Sequence, residues 1–154
     1  MAPSLEPDIQ RIFGRQAQDR TLEGADLRNA SLERVCLRDW KCTGVILANS
    51  NLFRADLHGA KLERADLRAA ELSGADLGEA VLTDADLEGA NLRLASLADA
   101  TLRGANLKWS QLSAANLRGA DLTGVLLQGA VADTATVWPD GFDPAAAGVW
   151  MTGE

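Results

Sequence analysis

From Leu22 to Leu127 a leucine recurs at every fifth residue, in 22 consecutive positions of which only Cys42 departs. The stretch Ala55-Asp56-Leu57-His58-Gly59, Ala60-Lys61-Leu62-Glu63-Arg64 shows the unit: a small residue, a polar one, leucine, then two variable positions. On an α-helix a step of five rotates by about 500°, so successive leucines would spiral round it and leave no apolar face. On a flat strand side chains alternate, and leucines five apart would point to opposite sides in turn. The pattern is consistent when each unit is a short extended piece followed by a corner. Four corners then close a square.

In such a square the leucine and the residue two before it face inward and the other three face out. The second inward site is alanine at 15 of the 21 positions from Ala25 to Val125, the exceptions being Val35, Trp40, Val45, Ser50, Ser110 and Val125. Small residues suit a narrow tube that has to be filled at crystal-like density without overpacking. Residues twenty apart stack with backbone hydrogen bonds along the tube, so 22 units make a rod of roughly 26 Å. Nine of the 14 glycines fall at the last place of the unit, where a tight corner is least strained by glycine.

The ends depart from the repeat. Leu5, Ile9, Ile12 and Phe13 recur at helical spacing, which predicts a short amphipathic helix after Pro7 that lids the tube within residues 1–20. Trp40 stands in a column that later reads Ala60, Ala80, Ala100 and Ala120, so it is expected at the broad, capped end against Ile12 or Phe13. After Leu127 the inward pattern is expected to continue through Ala130, Ala132, Ala135 and Val137, ending the coil of residues 21–137. In residues 138–154, Pro139 to Gly141 reads as a turn and Asp143 to Gly148 as one capped helical turn. Trp138, Phe142, Val149, Trp150 and Met151 are apolar enough to close the tube.

The Ala-(Asp/Asn)-Leu-X-X unit, held without a slip over about two thirds of the chain, resembles the pentapeptide-repeat proteins. That resemblance implies an all-β, right-handed quadrilateral parallel β-helix. It also brings in a functional expectation, because characterised members protect DNA gyrase and topoisomerase IV from quinolones or related poisons by imitating a DNA segment. This chain departs from some of them, since its unbroken register leaves no room for a projecting loop and its tail is short for a dimerising helix.

Composition narrows the function. A 154-residue chain with 47% hydrophobic content fits one domain with a thin, continuous core. It has no apolar run long enough for a membrane span and no secretory leader in Met1 to Asp19, which makes a cytoplasmic protein the expectation. Cys36 falls at an outward site and Cys42 at an inward one, so no disulfide is expected between them.

The formal charge of −7 argues against direct nucleic-acid binding. Read wall by wall, the charge concentrates on the wall of Leu37, where Asp39, Asp56, Asp76, Glu79 and Asp99 face Arg38 and Arg118 for a net −3. Duplex DNA as long as the rod would carry about 15 charges, so any mimicry has to be local, through this acidic wall.

Outward apolar residues offer a second surface. Ile46, Trp109 and Leu126 share one wall, Phe53 and Leu94 the next, and Trp109, Leu126, Trp150 and Met151 make a candidate contact patch near the C-terminal end. That patch leaves a homodimer through the C-terminal end open. The single histidine, His58, lies outward beside Asp56, and a rod with flat walls offers no cleft for catalysis. No phosphate loop, zinc spacing or dinucleotide fingerprint is present, so no catalytic, cofactor or metal site is assigned. The expectation is a non-enzymatic rod that acts on a protein partner, most concretely a type II topoisomerase, or else serves as a scaffold or regulatory module.

Overall fold

The computed structural model describes residues 14–153. Parallel β-bridges join residues twenty apart, as in the column Cys36, Asp56, Asp76, Ser96, Asn116. The column Ser31, Asn51, Glu71, Asn91, Gln111, Val131 gains a seventh rung in Trp150, so the rod rises about 29 Å along this side. Neighbouring residues bond in opposite directions: the Asp76 N–H donates back to Ala55 O at 2.9 Å, and the Leu77 N–H donates forward to Ser96 O at 2.7 Å. Each coil is thereby tied to the one before it and the one after.

The corners explain the period of five. In every unit the leucine (or Cys42) carbonyl accepts the N–H three residues on, as Leu77 O does from Ala80 at 3.1 Å. The residue just before that N–H has positive φ in all 22 units, and it is glycine in nine of them. This is the type II turn, whose third residue must enter the left-handed region. Leu94 at φ 59° and Trp109 at φ 60° occupy it with bulky side chains.

Inside, the leucine column and the alanine column are almost wholly excluded from water from Leu37 to Leu117. The two buried serines are satisfied locally, Ser50 Oγ donating to Leu47 O at 2.7 Å and Ser110 Oγ to Leu107 O at 2.8 Å. Trp40 is 3% exposed at the last inward corner of the first coil, twenty residues on from the exposed Arg20. Its expected partners Ile12 and Phe13, with Leu5 and Ile9, lie outside the described residues. Among the described residues the N-terminal end carries one short helix, α1, Arg15–Gln18, and its Ala17 is buried against the core.

The C-terminal end corrects two expectations. Ala135 is exposed and Val137 is 46% exposed, while Thr136 takes the inward place. The cause is one extra residue in the turn after β1, Val131–Asp133: Asn116 pairs with Val137, twenty-one residues on. Asp133 stitches the slip, its Oδ1 accepting the N–H groups of Ala114 and Ala135, each at 3.0 Å. Thr136 Oγ1 donates to Leu112 O at 2.9 Å.

Beyond the slip, Trp138 and Phe142 stack at 5.2 Å and pack against the open end of the core. The turn at Pro139 closes with Phe142 N–H on Pro139 O at 3.1 Å. Asp143 Oδ1 accepts the Ala146 N–H at 3.1 Å, but the segment makes a turn instead of a helix. The chain then returns as β2, Trp150–Thr152, in parallel register with β1.

Candidate interaction surfaces

The five carboxylates of the Leu37 wall lie on one side. Asp56 and Asp76 are consecutive in its first column, and Asp39, Glu79 and Asp99 lie in its third, where Gly59 separates Asp39 from Glu79. They are not equivalent. Asp56 Oδ2 takes the Arg38 Nε–H at 3.1 Å, so part of its charge is cancelled by a neighbour. Between the columns lies the His58 ring, with Nδ1 3.7 Å from Asp76 Oδ2 and Nε2 3.8 Å from Glu79 Oε1. The ring rests on Gly78, where a Cβ would come within 2.9 Å of Nδ1.

The same leaning recurs over the whole surface. Asp39 lies against Gly59, Arg54 against Gly74, Asp84 against Gly104, Asp99 against Gly119 and Trp109 against Gly129, each one coil further on. Outward side chains of these positions therefore tilt toward the C-terminal end.

Coil by coil, the charge is polarised along the axis. Residues 14–70 hold ten Lys and Arg against eight Asp and Glu, a net +2, whereas residues 71–153 hold four against eleven, a net −7. The coil of residues 71–90 contains Glu71, Asp76, Glu79, Asp84, Asp86 and Glu88 and no cation. This belt spans all four walls, and four of its members, Glu71, Asp84, Asp86 and Glu88, play no part in the acidic wall. The gap in Lys and Arg between Arg68 and Arg93 is the sequence signal that would have found it.

Of the four apolar candidates, the structure brings two into direct contact. The Trp109 and Trp150 rings meet edge to face with centroids 6.2 Å apart, and they are 55% and 63% exposed. Met151 follows Trp150 in β2, opposite Ala132, at the end of the inward leucine column. Leu126 lies one coil beyond Asn106, in the first column of its wall, at the opposite margin from Trp109. Leu94, 70% exposed, sits on the neighbouring wall.

Several carboxylates are held below their ordinary range by local bonds. The Arg28 guanidinium does this to Asp26, the Arg68 guanidinium to Asp66, and the Ala114 N–H to Asp133. Burial, with a smaller contribution from Glu23, pushes the Cys42 thiol up to about 12. Cys36 and Cys42 are both free thiols. Among the described residues no group of three His, Cys, Asp or Glu is arranged to hold a metal ion, and no helix is long and apolar enough to cross a membrane.

The repeat, the square coil and its leucine and alanine columns are those of the pentapeptide repeats, whose family model matches residues 41–68, 62–97, 70–108 and 90–129. The chain belongs to that family, whose members form right-handed β-helices and generally mediate protein interactions. A pentapeptide repeat protein from Nostoc Pcc 7120 is 31% identical over 89% of this chain and 88% of its own, with a TM-score of 0.43. One from the Arabidopsis thaliana thylakoid lumen is 26% identical over 70% of this chain and 72% of its own, with a TM-score of 0.52. Trypsin-treated QnrB1, a plasmid-mediated fluoroquinolone resistance protein, reaches 0.54 at 20% identity, covering 86% of this chain and 82% of its own. At that identity the likeness shows the fold alone. No curated protein matches the chain.

Proposed function

We propose that this protein is a non-catalytic cytoplasmic rod that protects a type II topoisomerase, gyrase or topoisomerase IV, from quinolones or related poisons by standing in for a DNA segment. The observation that carries the reading is the acidic belt. One coil rises roughly 4.8 Å, a length over which duplex DNA presents about three phosphate charges, and residues 71–90 present six carboxylates there with no cation. Asp76, Glu79 and Asp99 carry that charge onto the Leu37 wall, whereas Asp39 and Asp56 lie in the half of the rod where Lys and Arg prevail. The contact surface is thus the C-terminal part of the wall together with the belt. Sharing its fold with QnrB1 is consistent with this role.

The test is DNA supercoiling by purified gyrase, titrated with the protein, with and without a fluoroquinolone. Rescue of supercoiling in the presence of drug, lost on Asp76→Lys plus Glu79→Lys, is the expected result. No rescue at any concentration would overturn the reading.

One observation favours a second role. Trp109 and Trp150, joined at a corner and both more than half exposed, suit a scaffold or regulatory module that holds a protein partner or a second copy at the C-terminal end.

A further inference from the structure

Among the described residues β2 is the last strand, and no further strand pairs with its outer edge. Trp150 bonds back to β1, its N–H donating to Ala130 O at 2.8 Å. In a parallel ladder the next residue bonds the other way, so the Met151 N–H and C=O point along the axis, away from β1. Among the described residues sheet pairing stops at β2, and the Met151 N–H donates to no backbone carbonyl outside β1 and β2. Elsewhere the corresponding group is engaged: the Leu112 N–H donates to Val131 O at 2.7 Å. An unpaired edge of this kind is a template for one more strand.

The surroundings of that edge decide which strand fits. Residues 119–153 hold Asp121, Asp133, Asp140 and Asp143 and no lysine or arginine. A second copy would bring the same negative charge to the contact and be opposed by it. A cationic strand would be drawn in. The side chain that an added strand places above Trp150 would meet the indole, with Trp109 beside it, and lysine or arginine over an indole face gains cation–π attraction. The side chain above Met151 would cover a residue now 45% exposed.

We infer that the edge of β2 with the Trp109 and Trp150 corner is a docking site for an extended, basic peptide segment of another protein, which adds to the rod as its next strand. Main-chain bonds to Met151 supply affinity that is tolerant of sequence, and the tryptophans with the aspartate-rich end select for positive charge. The site is independent of the topoisomerase reading, because it uses neither the acidic belt nor the Leu37 wall.

The probe is a fluorescein-labelled decapeptide of alternating arginine and valine, with an alternating glutamate and valine peptide as control, read by anisotropy against the full chain. The arginine peptide is expected to bind and the glutamate peptide not to. Met151→Pro removes an N–H that the fold does not use, so it should leave the thermal midpoint unchanged while weakening the peptide by about tenfold, the equivalent of one or two lost backbone bonds. Trp109→Ala plus Trp150→Ala should weaken it to a similar degree, and this pair decides the matter if Met151→Pro lowers the thermal midpoint. Asp76→Lys plus Glu79→Lys should leave peptide affinity within about twofold, because screening attenuates charges more than a Debye length away.

Equal binding of both peptides, or full affinity retained by Met151→Pro and by the tryptophan pair, would overturn the inference. So would sedimentation showing a dimer that Met151→Pro dissociates, since a second copy would then hold the edge.

Discussion

The Trp109 ring owes its position to a missing methyl group, and that dependence can be measured. Gly129 has φ +73°, and a Cβ built there would lie 2.3 to 2.8 Å from the ring atoms of Trp109. Gly89 has a nearly equal φ, +67°, and open space around its Cβ position. Gly89→Ala therefore reports the backbone cost alone, about 1 kcal/mol once left-handed strain is set against the reduced freedom of the unfolded chain. Gly129→Ala carries the same cost and also drives the indole off its seat. It loses the edge-to-face pairing with Trp150, which adds roughly 0.5–1.5 kcal/mol. The expected sum is about 2 kcal/mol or slightly more.

Urea unfolding of the two variants, and of each in a Trp109→Ala background, gives a double-mutant cycle. Removing the indole should bring the Gly129→Ala cost down to that of Gly89→Ala. Two glycine variants of equal cost in the parent protein would refute the reasoning, as would an excess for Gly129→Ala that survives without Trp109.

Three further outcomes are expected. Leu77→Ala, at a wholly buried site in mid-rod, should cost about 3–4 kcal/mol, and Leu122→Ala, half-buried in the last coil, less than half of that, both by urea unfolding. Asp26, Asp66 and Asp133 are depressed in the fold, so their stabilisation is complete above the unfolded carboxylate value of about 4 and is lost as pH falls through the lower folded values. The thermal midpoint should thus hold from neutral pH down to roughly pH 5 and drop below about pH 4, with a shallower drop in Asp133→Asn. At pH 8 iodoacetamide should modify Cys36 in the folded protein and spare Cys42, whose thiol is buried and raised to about 12; equal labelling of both, read by peptide mass, would contradict that burial.

The body of the fold was legible because each unit repeats one physical solution. Leucine fills the tube, alanine lets it close, and the last position turns the corner. Even the thirteen corners without glycine follow, since a type II turn imposed by the ladder holds Leu94 and Trp109 in a conformation they would not choose. The register slip was not legible from hydrophobicity, because Ala132 and Ala135 look equally suited to the core. Its signal was polar: Asp133 and Thr136, three apart, can satisfy the backbone groups that a broken ladder leaves free.

The candidate surfaces were legible only in part. Sorting charges by wall picked out Asp76, Glu79 and Asp99 but averaged away the change of sign along the axis. The meeting of Trp109 with Trp150 depends on a return of nineteen residues from Val131, set by the closing turns, which no period of twenty announces.

That every outward position is read against the one twenty residues on has a consequence for how such a rod can change its size. Excising one full turn of the coil would shorten it by roughly 4.8 Å and leave every remaining side chain on the wall where it stood. The acidic belt and the tryptophan corner could thus be moved apart or together in fixed steps without losing their common bearing. Excising a single five-residue unit would shorten the rod by only about a quarter of that step, yet it would swing the whole C-terminal end through a quarter turn. Spacing and bearing are therefore set by one count, and a partner that grips both surfaces at once would accept changes of twenty residues far more readily than changes of five.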